Sequence, residues 1–318
     1  MSRRWLYLFI PRIAESLIFD YLCLWQKRII NITSVGRGKF HKYRLMNKVR
    51  PKKALGQHFL TDLSVAERIA STMDAYKGLP LLEIGPGMGV LTRFLVEKGH
   101  DLTVVEIDPE SVEYLTAEFP QLAADGRIVQ ADFLKMDLSD LYPGDTPFCI
   151  IGNYPYNISS QIFFKVLDYK DRVRCCSGML QREVAERLAA APCTKARGIL
   201  SVLLQTWYDE EYLFTVSESV FNPPPKVKSG VIRMTRNDVT DPGCDPALLR
   251  TVVKTTFGQR RKTLRNSVRG LLPPGASIPA SADELLSLRP EQLSVERFVE
   301  LTNLLSDIRG KYAVTESK

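Results

Sequence analysis

The stretch Leu81 to Gly89, LLEIGPGMG, limits what this chain can fold into more than any other. Four residues, apolar but for Glu83, run into three alternating glycines. From Val90 the apolar positions Val90, Leu91, Phe94 and Leu95 return at helical spacing. The pattern predicts a buried parallel strand, a tight turn and an amphipathic helix. In such a unit the glycines let the main chain pass close to a ligand, which sits at the carboxyl edge of the sheet. Leu102 to Ile107, Arg127 to Gln130 and Phe148 to Gly152 read as further strands, with a helix from Pro109 to about Phe119. The fold expected is α/β and Rossmann-like.

A dinucleotide loop, G-x-G-x-x-G, would place its third glycine at position 90, where this chain has Val90. Gly85, Gly87 and Gly89 preceded by Glu83 instead resemble the E/D-x-G-x-G-x-G loop of S-adenosylmethionine (SAM) methyltransferases. A plain glycine-rich βα turn is the other reading. Glu106 ends the second strand 21 residues after Gly85, where a doubly wound sheet presents an acid to ribose hydroxyls. Asp132 follows the third strand into the same crevice and is placed to accept the adenine amino group; a solvated acid is the alternative at both positions.

After the fourth strand comes Asn153-Tyr154-Pro155-Tyr156. It resembles the D/N-P-P-Y/F/W or N-x-P-Y/F motif of enzymes that methylate exocyclic amino nitrogens. An adenine N6 lone pair is delocalised into the ring. Hydrogen bonds from N6 to the Asn153 side-chain oxygen and the Tyr154 carbonyl would draw it toward a pyramidal geometry. Pro155 stiffens the turn, and Tyr156 can stack on the purine, worth about 1 to 3 kcal/mol. A proline turn with two packed tyrosines is the blander reading.

The net charge of +7 suggests a nucleic-acid partner only until it is located. Residues 1–45 carry nine Lys/Arg against Glu15 and Asp20, and the remaining 273 residues balance 34 bases against 34 acids. Two local clusters stand out: Lys48, Arg50, Lys52 and Lys53, and the run Arg250, Lys254, Arg260, Arg261, Lys262, Arg265 and Arg269, with no acid between Pro246 and Ala282. Each is either a solvated face or a phosphate grip. The six cysteines include no C-x-x-C pair and read as reduced thiols. With three histidines in the chain, a His-rich metal site is not expected.

Residues 1–45 differ in character from the rest of the chain. Pro11, Arg12, Glu15 and Asp20 interrupt their apolar stretch, which makes a poor membrane helix and a poor signal peptide. An amphipathic anchor and an upstream misreading of the start before Met46 are the two readings. A methyltransferase domain is expected over residues 46–240 and a helical, RNA-contacting domain over 241–318. Helices are expected over Leu63 to Met73, Gln161 to Leu167, Glu183 to Ala191, Ile199 to Trp207, Ala247 to Leu271 and Val295 to Ile308. Gly178 to Gln181 reads as the end of a strand, and Val231 to Thr235 as a last, edge strand. Phe221, ahead of a proline run, is either the second face of a base sandwich or a core residue.

Taken together, G-Q-H-F-L at Gly56 to Leu60, E-I-G-P-G-M-G, V-V-E-I-D, A-D-F, N-Y-P-Y, F-N-P-P-P-K-V-K-S and F-G-Q-R-R-K-T-L-R-N-S at Phe257 to Ser267 closely resemble the small-subunit rRNA adenine N6,N6-dimethyltransferases, the KsgA/RsmA family. The likeness runs from about Lys52 to Ile308. It implies a seven-stranded class I SAM-methyltransferase domain with a small all-α C-terminal domain. It also implies SAM-dependent dimethylation of two adjacent adenosines in the 3′-terminal hairpin loop of 16S rRNA, on a pre-30S particle, by a cytoplasmic monomer with no membrane partner. Carried over by motif, the cofactor residues are His58, Leu60, Gly85, Glu106, Asp132 and Asn153. The target pocket is Asn153, Tyr156 and Phe221, and the RNA grip is Lys52, Lys53, Arg260, Arg261, Lys262 and Arg265. The family more often has Asn at His58 and Leu at Tyr154; both departures read as tolerated. The rivals are a 23S rRNA methyltransferase of macrolide-resistance type, an assembly factor acting mainly by binding, and a DNA adenine methyltransferase, for which no target-recognition domain finds room.

Overall fold

Seven strands pair into one sheet: β1 (Leu81–Ile84), β2 (Leu102–Glu106), β3 (Ile128–Gln130), β4 (Phe148–Asn153), β5 (Val173–Gln181), β6 (Tyr208–Val216) and β7 (Ser229–Arg236). This computed structural model describes residue 49, residues 51–52 and residues 55–316, with side chains through residue 312. Residues 1–45, with both readings of them, and Lys48, Arg50 and Lys53 lie outside the described residues.

The strand order is β3-β2-β1-β4-β5-β7-β6. β1 to β5 run parallel, and β7 runs antiparallel to both β5 and β6. The chain moves outward from β1 to β3, then returns to the other side of β1 with β4. That reversal opens a crevice beyond the carboxyl ends of β1 and β4, where ligands of open α/β sheets bind.

Because side chains alternate across a pleat, each central strand feeds two cores. Leu82, Ile84 and Ile150 enter one layer with Phe163, Val166 and Leu203. Leu81, Cys149 and Ile151 enter the other with Ala66, Ile69, Leu91 and Leu95. The helices supplying these residues are α1 (Leu63–Ser71), α2 (Val90–Glu97), α4 (Ser159–Asp168) and α6 (Ile199–Gln205), with α3 (Pro109–Glu118) and α5 (Arg182–Leu188) between them in sequence. Asp62 caps α1 by accepting the Ser64 and Val65 amides, and Asp108 caps α3 at the Glu110 amide.

Two expectations are corrected. The strand at Ser229–Arg236 is interior, and the edge is β6, whose sequence YDEEYLFTV lacks a clean apolar alternation. β7 tolerates Arg233 away from the edge because Glu211, its cross-strand partner on β6, takes the guanidinium Nη2 at 2.9 and 3.1 Å. The single helix expected from Ala247 to Leu271 stops early. α7 (Pro246–Gly258) starts with Asp245 as cap and Pro246 in its first turn and ends at Gly258, followed by short turns at Leu264–Ser267 and Arg269–Leu271.

α8 (Val295–Glu316) buries Phe298, Leu301, Thr302, Leu305 and Ile308, and the Phe298 ring stacks on Phe257 of α7 at 6.0 Å. The first core layer runs on across residue 240 through Leu248, Leu249, Val252 and Val253 to these residues. Cys149, Cys175, Cys176, Cys193 and Cys244 are free thiols. No helix among the described residues is long and apolar enough to cross a membrane.

Candidate active site

The turn after β1 needs its glycines for steric reasons. Gly87 has φ +56, and a Cβ there would stand 3.0 Å from the Phe59 ring. Gly89, at φ +72, caps α2 and would drive a Cβ into the Phe119 ring. The loop is held from below by Glu106 at the end of β2. Its Oε2 accepts the Gly87 amide at 3.0 Å, and its Oε1 accepts the Ile107 and Asp108 amides at 2.9 Å each. Burial raises the Glu106 pKa, and those three amides oppose the rise.

Glu83, fully buried on β1, accepts the Thr92 hydroxyl at 2.7 Å through Oε2. Asp132 follows β3, accepts the Leu134 amide at 3.0 Å and lies 3.4 Å from the Lys135 ammonium. On the next element, Asn153 ends β4. Its amide group donates to the His58 carbonyl at 3.2 Å; a carbonyl only accepts, so the donor is Nδ2 and Oδ1 is the acceptor left over. The His58 ring reaches the Pro223 carbonyl with Nδ1 at 2.8 Å, which makes Nδ1 the protonated nitrogen. It stacks on Tyr156 at 5.6 Å and 29°, and Tyr156 in turn shares a 2.5 Å hydrogen bond with Ser229. Tyr154 points away from this cluster. It is fully buried, with its amide on the Met179 carbonyl and its hydroxyl on the Ser177 carbonyl at 2.7 Å.

These groups wall one cavity of about 1040 Å³, counting its open mouth, at the crevice between β1 and β4. His58, Leu60, Gly85, Glu106, Asp132, Asn153 and Tyr156 all line it. Phe221 does not: it is 4% exposed, opposite Leu60 in a two-residue antiparallel pairing, and belongs to the second core layer. Of the basic residues, Lys52 is tied to Asp108 at 2.5 Å and Glu110 at 3.5 Å. Arg260 bonds the Lys195 carbonyl and lies 3.6 Å from Glu291, Arg265 pairs with Asp283, and Arg261 and Lys262 are exposed beyond α7.

Two wall residues, Ile107 and Gly56, lie within the motifs above but carry no role there. Ile107 is 46% exposed and lines the cavity; its place directly after the strand-end acid was a usable signal. Gly56 passes so near Asn157 that a Cβ would meet Oδ1 at 2.6 Å, and no local pattern announces that approach.

The charge on the wall decides what kind of ligand fits. Among the described residues three acids, Glu83, Glu106 and Asp132, line the cavity, and no Lys or Arg does. A pyrophosphate would find no cation there, whereas a sulfonium and an ammonium find carboxyl groups; the donor set fits SAM.

A family model described as ribosomal RNA adenine dimethylase matches residues 48–307. The chain belongs to the ribosomal RNA adenine dimethylase family. This dimethylase is a SAM-dependent rRNA adenine methyltransferase. It is 69% identical over 257 residues, 81% of this chain and 94% of the relative, to the ribosomal RNA small subunit methyltransferase A of Parabacteroides distasonis. Its fold is shared with a dimethyladenosine transferase from Plasmodium falciparum, at TM-score 0.65 and 20% identity over 79% of this chain and 98% of that one. The 23S rRNA methyltransferase ErmE aligns at TM-score 0.58 and 25% identity, over 78% and 99%.

Proposed function

We propose that this dimethylase places two methyl groups on N6 of each of two adjacent adenosines in the 3′-terminal hairpin loop of 16S rRNA, on the nascent small subunit. It would act as a cytoplasmic monomer in small-subunit biogenesis. The observation that carries the reading is the meeting of Asn153 and Tyr156 with a cavity whose described lining holds three acids and no Lys or Arg. The likeness to a relative named for the small subunit supports the choice of substrate.

Bound in that cavity, SAM supplies a methyl group already activated on a sulfonium, so the protein's task is placement. The Gly85 to Gly89 turn leaves room for the amino acid and ribose parts. Glu106 has about four lone-pair positions, three of which hold loop amides. Oε2 is therefore the oxygen with room for a ribose hydroxyl. Asp132 accepts the adenine amino group of the donor, and His58 and Leu60 close the side opposite the sheet.

At the rim, Asn153 Oδ1 and the Tyr154 carbonyl take the two N6 hydrogens of the target, and Tyr156 covers its face. Held within roughly 3 to 3.5 Å of the methyl and in line with it, the N6 lone pair needs no general base before it attacks. The adenosine leaves its loop stack at a cost of a few kcal/mol, less than in a duplex. Residues 241–318 and the arm at Lys52 and Lys53 grip phosphates, through Arg260, Arg261, Lys262 and Arg265 in the former.

The test is to offer labelled SAM to small and large ribosomal subunits from cells lacking this enzyme. Label should appear as N6,N6-dimethyladenosine at the 3′ end of 16S rRNA. Label in 23S rRNA would overturn the substrate, and no label in either would overturn the reading.

A further inference from the structure

Among the described acids of the cavity wall, Glu83 is the one to which the proposed function gives no hydrogen bond with donor or target. It is 1% exposed at the middle of the sheet, between Val104 on β2 and Ile151 on β4. From α2 it meets the Thr92 hydroxyl, a neutral donor. From β2 the charge that acts on it is the like charge of Glu106. Among the described residues the other titratable groups lining the cavity are Asp132, His58, Tyr154 and Tyr156, none of them a Lys or Arg. A carboxyl taken from water with no cation beside it favours its neutral form. Burial, with Glu106 adding and Thr92 opposing, raises its pKa to about 8.

The cavity's ligand changes charge during turnover. The donor carries a sulfonium, and the product S-adenosylhomocysteine (SAH) carries a neutral thioether in its place. We propose that Glu83 is the residue by which this pocket prefers donor over spent product: neutral in the empty cavity, it releases its proton as the sulfonium enters and regains one when the sulfur has lost its charge. The inference rests on the donor site of the proposed function.

The S–CH3 bond breaks with its electron pair left on sulfur, the N6 lone pair forms the new N–CH3 bond, and N6 gives up one hydrogen as a proton. The Glu83 carboxylate takes up one proton in the same step. Over the whole cycle one proton leaves per methyl transferred, the one Glu83 released on binding. By linkage, each unit by which the sulfonium lowers the Glu83 pKa tightens SAM by about tenfold at a pH above both values. SAH, which lacks that charge, gains nothing from it.

Calorimetric titration of the full chain with SAM and with SAH, in buffers of different ionisation enthalpy across neutral to mildly alkaline pH, reads the proton directly. The ligands' own amino groups titrate in this range, so wild type is compared with Glu83→Gln for the same ligand. SAM should release up to about one proton more from wild type than from the variant. The excess should be missing with SAH, and the variant should lose about tenfold in SAM affinity while holding SAH within about twofold. Thr92→Val, which removes the hydrogen bond favouring the charged form, should move proton release to higher pH. Equal proton release from wild type and Glu83→Gln, equal losses for both ligands, or an unmoved profile in Thr92→Val would each overturn the proposal. Wild type that bound neither ligand would instead remove the donor site and, with it, this role of Glu83.

Discussion

A Cβ on Gly178 would lie 2.6 Å from the Tyr154 ring, so β5 passes the tyrosine at a separation that only glycine permits. The same Cβ would run into the Gly152 carbonyl, which is backbone and cannot rotate away. The two glycines make the slot for the Tyr154 ring, and the ring, bonded to the Ser177 carbonyl, fixes the turn that carries Asn153. Gly178→Ala should therefore destabilise the chain by about 3 kcal/mol or more, at the upper end of overpacking costs. Gly258→Ala has nothing within 4 Å of the new Cβ. It should be neutral, or stabilising by up to about 1 kcal/mol, as expected at the end of a helix. Urea unfolding of the two variants checks the contrast.

Tyr156, proposed to cover the target base, shares a hydrogen bond with Ser229 through its hydroxyl. Tyr156→Phe keeps the face and should change the apparent affinity for RNA by less than about threefold, whereas Tyr156→Ala forfeits stacking worth about 1 to 3 kcal/mol and should weaken it by tenfold or more. SAM affinity, measured in parallel, should hold steady in Tyr156→Phe, which keeps the ring stacked on His58.

The basic residues should not contribute alike to RNA binding. Arg261 and Lys262 are exposed and carry no ion pair among the described residues, while Lys52, Arg260 and Arg265 face Asp108, Glu291 and Asp283. Arg261→Ala and Lys262→Ala should each lower the slope of log affinity against log salt by about 0.7 to 0.9. Arg265→Ala should lower it less, since its charge is already offset. Filter binding across a salt series reads all three.

Stability without cofactor should fall as the solution becomes more alkaline through the neutral range. Glu83 titrates near 8 when folded against an ordinary 4.5, so between those values the folded chain holds a proton that the unfolded chain has released. Its contribution is complete below 4.5 and is lost as the pH rises toward 8. The slope from this one group is at most about 1.4 kcal/mol per pH unit, and Glu106, raised in the same direction, adds to it. Glu83→Gln should flatten the profile; a urea midpoint with the same pH dependence in both proteins would count against the buried neutral acid.

How far the chain could be read in advance depends on how local each signal is. β1, the glycine turn and α2 are written in adjacent residues, and Glu106 and Asp132 sit at strand ends whose apolar runs mark them. β6 was missed because Asp209, Glu210 and Glu211 interrupt any apolar alternation, and what makes Glu211 acceptable in a strand is Arg233 on β7. The alternation of Val231, Arg233 and Thr235 with Ile232 and Met234 made β7 look like an edge. His58 was expected at the cofactor by motif alone. Its partner Pro223 is 165 residues away, and only the assembled fold brings the proline turn to the ring. The burial of Phe221 was equally illegible, since a phenylalanine before prolines reads the same whether or not its strand pairs with Leu60.

In the proposed function an amino group is methylated because Asn153 holds it at the donor cavity that Asn153 lines. The most direct measurement is the single-turnover rate of methyl transfer to undermethylated small subunits by Asn153→Ala, with SAM and subunit binding determined separately and both sites saturated. The rate should fall on the order of 10² to 10³-fold, the loss typical of one preorganised hydrogen-bonding group, with both ligands still bound. A saturated variant that transfers methyl groups within a few-fold of the wild-type rate would contradict it.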